Sequence, residues 1–172
     1  GACLFCDDFE DGVLAGNWTY TKASWTEVNG NLIGTPTGKK GTAIATPAFR
    51  GCVNCSVEAK LASGGGTGNR VWLLGWYADK RNNIQLMMKQ ESGKWILKER
   101  SNGKIIAKAK GFAAITPNVL YDIKVIFDGT NFTVTVDGSQ LMQLTPVATV
   151  PSGTVGFSVK STTVQVGEVS VN

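Results

Sequence analysis

Four cysteines stand in two C-x-x-C pairs, Cys3-Leu-Phe-Cys6 and Cys52-Val-Asn-Cys55. Thiols at this spacing serve three chemistries: redox exchange, a tetrahedral metal site, or disulfide bonds. A redox centre sets the pair at a helix N-terminus after a strand, and neither pair has a helical flank. A four-cysteine metal site needs each pair wrapped in a turn, so that both sulfurs reach one ion. Gly51 permits a turn before Cys52, whereas Leu4 and Phe5 carry the first pair straight into an apolar strand pattern. In extended chain, cysteines three apart lie about 10 Å from each other and point to opposite faces. A disulfide needs a Cα separation of roughly 4.4–6.8 Å. Extended flanks therefore predict bonds between the pairs. These would be Cys3–Cys55 with Cys6–Cys52 on antiparallel neighbours, or Cys3–Cys52 with Cys6–Cys55 on parallel ones. Closing so long a loop contributes roughly 3–4 kcal/mol in the chain-entropy model. Zinc on all four sulfurs is the alternative; beyond it the residues ask for no metal or cofactor.

The chain has no histidine. That removes the usual general base at neutral pH and the Ser-His-Asp and Cys-His arrangements. Its thirteen carboxylates are scattered, mostly in turns. Retaining glycoside hydrolysis needs two carboxyls about 5–5.5 Å apart, and no strand carries such a pair. Glu58, outward on a strand, and Asp79 are the first acids that an enzyme reading would test. The glycine-rich stretch Ser63–Asn69 lacks Gly-Lys-Ser/Thr and precedes a strand. It is read as a hairpin loop, since no helix N-terminus is there to hold an anion.

Binding chemistry is concentrated further on. In Val71–Lys80 strict alternation puts Trp72, Leu74, Trp76 and Ala78 on one face. Sugar rings stack their C–H faces on aromatic rings, so an exposed Trp72/Trp76 pair would be a sugar platform; burial in the core is the competing reading. In the next hairpin, with Glu91–Lys94 as the loop, Gln90 pairs Trp95, Met88 pairs Leu97 and Leu86 pairs Glu99. Ile84, Leu86, Met88, Trp95 and Leu97 then form one apolar face. Gln85, Met87, Lys89, Ile96, Lys98 and Arg100 form the opposite, basic face. The candidate ligand-binding residues are Trp72, Trp76, Gln85, Lys89, Lys98 and Arg100.

The elements that must position them are short strands. Period-2 alternation marks Leu4–Phe9, Asn17–Tyr20, Thr26–Val28, Asn31–Ile33, Thr42–Ala45, Val53–Leu61, Arg70–Ala78 and Ile84–Gln90. It continues through Lys94–Arg100, Lys104–Lys110, Leu120–Phe127, Asn131–Val136, Gln140–Leu144, Thr154–Val159 and Val164–Val171. Asn-Gly, Asp-Gly and Ser-Gly pairs punctuate them at tight-turn positions. No helical pattern intervenes, so the fold class is an all-β antiparallel sandwich of jelly-roll type. The 172 residues, 42% hydrophobic and 17% charged, suit a single domain over 1–172. A net charge of +4 without a Lys/Arg cluster does not indicate a nucleic-acid partner. No apolar run is long enough for a membrane span.

Several segments resemble concanavalin A-like lectin/glucanase domains. "LFCDDFEDG" (4–12) and "WTEVNGNL" (25–32) look like their N-terminal strands, and "VWLLGWYADKRNNIQLMMKQESGKWILKERSNGK" (71–104) like their central run. "YDIKVIFDGTNFTVTVDGSQL" (121–141) looks like the strands after that run, and "GTVGFSVKSTTVQVGEVSV" (153–171) like the closing strands. The resemblance covers nearly the whole chain and implies a laminin-G-like or 3-keto-disaccharide hydrolase-like jelly roll. Two departures bear on activity. The E-x-D-x-E run of family-16 glycoside hydrolases is missing. The closing-strand Asp that helps hold a structural calcium in many relatives is replaced by Gly167, with Glu168 one place off. The resemblance therefore implies a carbohydrate-binding, lectin-like module without its own catalysis and with a polysaccharide or glycan partner. A glycoside hydrolase-like or 3-keto-disaccharide hydrolase-like enzyme and an adhesive protein-binding module are the alternatives. An even cysteine count in a β-sandwich favours an exported protein, and the expectation is a bacterial domain that is secreted, periplasmic or at the cell surface.

Overall fold

A computed structural model describes residues 3–12, 18–45 and 51–172. Among them are fifteen strands and no helix. They are β1 (Phe5–Asp7), β2 (Trp18–Thr21), β3 (Ala23–Val28), β4 (Asn31–Pro36), β5 (Gly41–Ala45), β6 (Ser56–Ser63), β7 (Arg70–Asp79) and β8 (Asn82–Lys89), then β9 (Lys94–Ser101), β10 (Lys104–Phe112), β11 (Tyr121–Phe127), β12 (Phe132–Val136), β13 (Ser139–Leu144), β14 (Thr154–Lys160) and β15 (Val164–Val171). Each matches one expected strand to within a few residues. Asn17, at the edge of one expected strand, lies outside the described residues.

The strands form two antiparallel sheets. One runs β13-β12-β11-β6-β15-β4-β3, with β1 also against β15; the other runs β10-β9-β8-β7-β14-β5-β2. Their inner faces bury one core, in which Val57, Ala59 and Leu61 of β6 oppose Val71 and Leu73 of β7, Ile84, Leu86 and Met88 of β8, and Trp95 and Leu97 of β9. This is the alternation expected of half-buried strands. At Asn29-Gly30, Asn102-Gly103 and Asp137-Gly138 both turn residues have positive φ. That is the mirror-image turn whose twist matches paired strands, and it is why Asn-Gly and Asp-Gly stand there.

Three expectations are corrected. The β8–β9 hairpin pairs Met88 with Trp95, Leu86 with Leu97 and Ile84 with Glu99. The loop is therefore Gln90–Gly93, and the register lies two residues from the expected one. An even slip leaves every side chain on its face, so the apolar and basic faces stay as expected. Glu99 shares the inward parity. It is buried, and its carboxylate accepts hydrogen bonds from the Val147 and Ala148 amides at 2.7 and 3.0 Å.

The second correction concerns β7. A bulge sets Gly75 and Trp76 opposite the single residue Val155, because Tyr77 pairs Thr154 while Leu74 pairs Gly156. Trp76 takes φ of 45°, and its side chain turns into the core instead of sharing Trp72's face. The indole N–H donates to the Val53 carbonyl at 2.8 Å, and the ring packs edge-on to Phe132 at 4.9 Å.

The third correction concerns the cysteines. The disulfides are Cys3–Cys6 and Cys52–Cys55, each with Cα atoms 6.1 Å apart. Bonds between the two motifs do not form, because neither stretch is extended. The chain bends at Leu4 before β1 begins and at Val53–Asn54 before β6 begins. Gly51 (φ 80°) brings Cys52 into a bridge with Gly153. So short a loop is worth about 2 kcal/mol in the chain-entropy model, against roughly 4 for the expected long loop. Replacing either pair by serine should therefore cost about 2 kcal/mol or less in a urea titration. Peptide mapping should find each bond within one short peptide, and elemental analysis should find no zinc. A bond joining the two peptides would overturn the pairing.

Candidate functional site

The outer face of the seven-stranded sheet carries most of the candidate residues. Register aligns Lys110, Ile96, Met87, Trp72, Ser158 and Thr42 in one row across β10, β9, β8, β7, β14 and β5. The adjacent row holds Lys108, Lys98, Gln85, Leu74 and Gly156, and ends at Ile44. Trp72, Leu74, Met87 and Ile96 make a second apolar cluster here, with Tyr77 packed against it. The Lys40 ammonium lies over the Trp72 ring, 4.5 Å from its centroid, a cation–π contact. Trp72 is consequently only 7% exposed.

Beside this cluster opens a groove of about 760 Å³. Lys22, Lys40, Lys80, Arg81, Arg100 and Lys104 line it, together with Thr42, Tyr77, Asn83, Gln85, Asn102 and Ser158; among the described residues no carboxylate does. Local bonds hold its wall. Arg81 Nη2 donates to the Asn102 carbonyl at 2.9 Å, and Arg100 Nη1 reaches the Gly103 carbonyl at 3.5 Å. Gln85 donates to Asn83 at 3.0 Å, and Asn83 to the Asp79 carbonyl at 3.0 Å. On the far wall the Ser158 hydroxyl donates to the Gly41 carbonyl at 3.0 Å. The carboxylate of Asp79 is turned to its own hairpin. There the Arg81 amide, at 2.8 Å, and the Asn82 side chain hold it below the usual range.

The cations of this face repel one another. Burial, then Arg100, Lys160 and Lys98, hold Lys40 below the usual lysine range. Burial, then Arg100, Lys108, Arg70 and Lys89, do the same to Lys98. An amine whose folded pKa is lowered loses its proton first in the folded chain, so stability rises as pH climbs toward the ordinary value of 10.5. Tyr20 and Tyr77 are raised, chiefly by burial, from an ordinary 10.0. Their ionisation in the unfolded chain lowers stability above that value. The unfolding temperature should therefore rise as pH climbs toward 10.0 and fall above it, and added salt should weaken the part of the rise that comes from neighbouring charges. A steady fall from neutral pH would contradict this balance.

Of the six expected binding residues, Gln85 and Arg100 line the groove. Lys98 lies on the same face in the row of Gln85. Lys89 lies on that face in a more distant row, beside Lys94. Trp72 is on the face but beneath Lys40. Trp76 is in the core. Sequence reasoning missed Lys22, Lys40, Lys80, Arg81 and Lys104. Lys40, Lys80 and Arg81 have a local sign in the cationic turns "GKK" (38–40) and "DKR" (79–81), but nothing in sequence says that these turns meet each other, Lys22 or Lys104.

The outer face of the other sheet has a smaller cavity, about 350 Å³, lined by Asp7, Asp8, Glu58, Lys60, Asp122 and Glu168 among others. Lys60 and Glu168 form an exposed ion pair at 2.9 Å. Glu168 reaches Lys60 because Gly167 and Glu168 sit in a bulge of β15 between Val166 and Val169. Glu58 and Asp79, the acids of the enzyme reading, belong to different sheets and do not form a pair. Among the described residues no helix is long and apolar enough to cross a membrane.

The fold is a concanavalin A-like jelly roll. The carbohydrate-binding module CBM66 from Bacillus subtilis superposes with a TM-score of 0.76 at 16% identity, over 91% of this chain and 95% of that one. A prokaryotic beta-1,3-1,4-glucanase (lichenase) derived from a mouse hindgut metagenome gives 0.77 at 8% identity, over 98% of both chains. The carbohydrate recognition domain of Emp47p gives 0.71 at 15% identity, over 99% and 95%. No protein-family model and no curated protein sequence matches the chain.

Proposed function

We propose that this domain is a carbohydrate-binding module without catalysis of its own, and that it holds glycan in the groove of the seven-stranded sheet. The observation that carries the reading is the groove's lining. Amide, hydroxyl and guanidinium groups converge there beside the half-buried Tyr77 ring, a mixture that suits sugar hydroxyls and a C–H face, and no carboxylate of the described residues lines the groove with them. Solved structures of the same fold support it, among them one named a carbohydrate-binding module and one a carbohydrate recognition domain. The two disulfides support a place outside the reducing cytosol, in a secreted, periplasmic or cell-surface protein.

The test is a glycan array paired with a sugar-release assay on the same polysaccharides. Binding without release is the expected result. Release of sugar would instead favour the hydrolase-like reading, and Glu58→Gln would be the first variant to make. No binding to any glycan would sink both and leave a protein-binding, adhesive module.

A further inference from the structure

We propose that the ligand of this groove is an acidic polysaccharide, a chain whose sugars carry carboxylate or sulfate groups. The proposal rests on the carbohydrate-binding reading above and names the ligand class for the same site.

Six cations line the groove and no described carboxylate lines it with them; Asp79 acts on Arg81 from its own hairpin. The ion pair of Lys60 with Glu168 lies on the opposite sheet. Lys40 and Lys98 are held down first by burial and then by repulsion from neighbouring cations, Arg100 foremost in both cases. A neutral sugar leaves that repulsion in place, whereas an anion relieves it and pairs with charges already assembled. Arg81 and Arg100 are tethered to the carbonyls of one hairpin turn, Asn102-Gly103. Planar guanidinium groups held in this way suit the paired oxygens of a carboxylate or sulfate, and less ordering is lost on binding. The polar residues between the cations, Asn83, Gln85 and Ser158, suit sugar hydroxyls. The acidic cavity on the other sheet, with Asp7, Asp8, Glu58 and Asp122, repels the same polymer. A polyanion is thus steered to one face.

The experiment measures affinity for polygalacturonate (carboxylate), dextran sulfate (sulfate), dextran (neutral) and single-stranded poly(dT). At least one acidic polysaccharide should bind about tenfold or more tightly than dextran. Its affinity should fall on the order of tenfold between low salt and about 0.15 M ionic strength. Whichever acidic polymer binds tighter identifies the anionic group. Arg81→Ala with Arg100→Ala should weaken that binding about tenfold or more. The exposed pair Lys80→Ala with Lys104→Ala should weaken it several-fold without touching the fold, and Lys124→Ala on the other sheet should leave it unchanged. Dextran binding as tightly as the acidic polymers would overturn the acidic class and leave the carbohydrate-binding reading standing. Failure of every polysaccharide would overturn both. Poly(dT) binding as tightly as the best polysaccharide would overturn the sugar class, and full affinity in both groove variants would overturn the location.

Discussion

Trp76→Ala is expected to destabilise the domain by about 3–5 kcal/mol, the usual cost of emptying a buried indole site. Trp76 is 2% exposed. Its ring meets Phe132 edge-on, and Phe132 in turn stacks on Phe127 at 4.6 Å, so the truncation opens a void in the middle of an aromatic column. It also removes one of two donors to the Val53 carbonyl, which keeps the Cys55 amide at 3.1 Å, at the bend that joins Cys52 to Cys55. Trp76→Phe keeps most of the ring volume and loses chiefly that hydrogen bond, for about 1–2 kcal/mol. Chemical denaturation of the three proteins checks the order. A Trp76→Ala variant of near wild-type stability that had lost glycan affinity would restore Trp76 to the ligand platform and refute its place in the core.

Gly153→Ala is expected to cost about 3 kcal/mol or more, at the upper end of overpacking. A methyl group at Gly153 would fall on the backbone of Trp76 and Tyr77. Backbone cannot swing aside as a side chain tip can. Gly51 faces the same crossing from the other side, where a methyl would meet the Gly153 backbone. The natural control is Gly38→Ala, since a methyl at Gly38 has nothing within 4 Å and its φ is ordinary; it should melt with the wild type. Equal melting temperatures for Gly153→Ala and Gly38→Ala would mean that the chains do not approach so closely here.

The bulge that unites these two residues also marks where sequence reading stops. Alternation and turn residues carry the fold: Val57, Ala59 and Leu61 announce an inner face, and Asn-Gly and Asp-Gly announce their hairpins. Both signals are local, and both survive small errors, as the two-residue slip of β8 on β9 shows. A bulge leaves no such signal. Alternation runs through Trp72, Leu74 and Trp76 as if the strand were regular, and the inserted residue is visible only once β14 is laid beside β7. Gly75 and Gly153 are traces of it, legible as causes only after the pairing is known. Cysteine spacing misleads for a related reason. It carries the expected separation only if the flanks are extended, and the bends at Leu4 and Val53–Asn54 have no strong turn residue between the cysteines apart from Asn54.

The groove divides in the same way. Gln85 and Arg100 are legible, with Lys98 beside them on the same face, because one hairpin fixes their parity. Lys22, Lys40 and Arg81 are not, because they stand in or beside turns whose meeting depends on β7, β14, β5 and β2 lying side by side. The Ser158 to Gly41 bond spans 117 residues of chain. Lys40 covering Trp72 belongs to that long-range class too. Alternation places an indole on the right face but cannot show that a lysine from another part of the chain lies on it.

The local disulfides have a kinetic consequence. Four thiols can pair in three ways, and the native way is the one with the two shortest loops. Closing a short loop costs the unfolded chain less entropy than closing a long one, so the reduced, unfolded polypeptide already favours the correct partners before any sheet has formed. Oxidation and folding are then separable events. A chain released into an oxidising compartment reaches its native covalent state without a phase of reshuffling, and the slow part of its maturation is left to the long-range strand pairing alone.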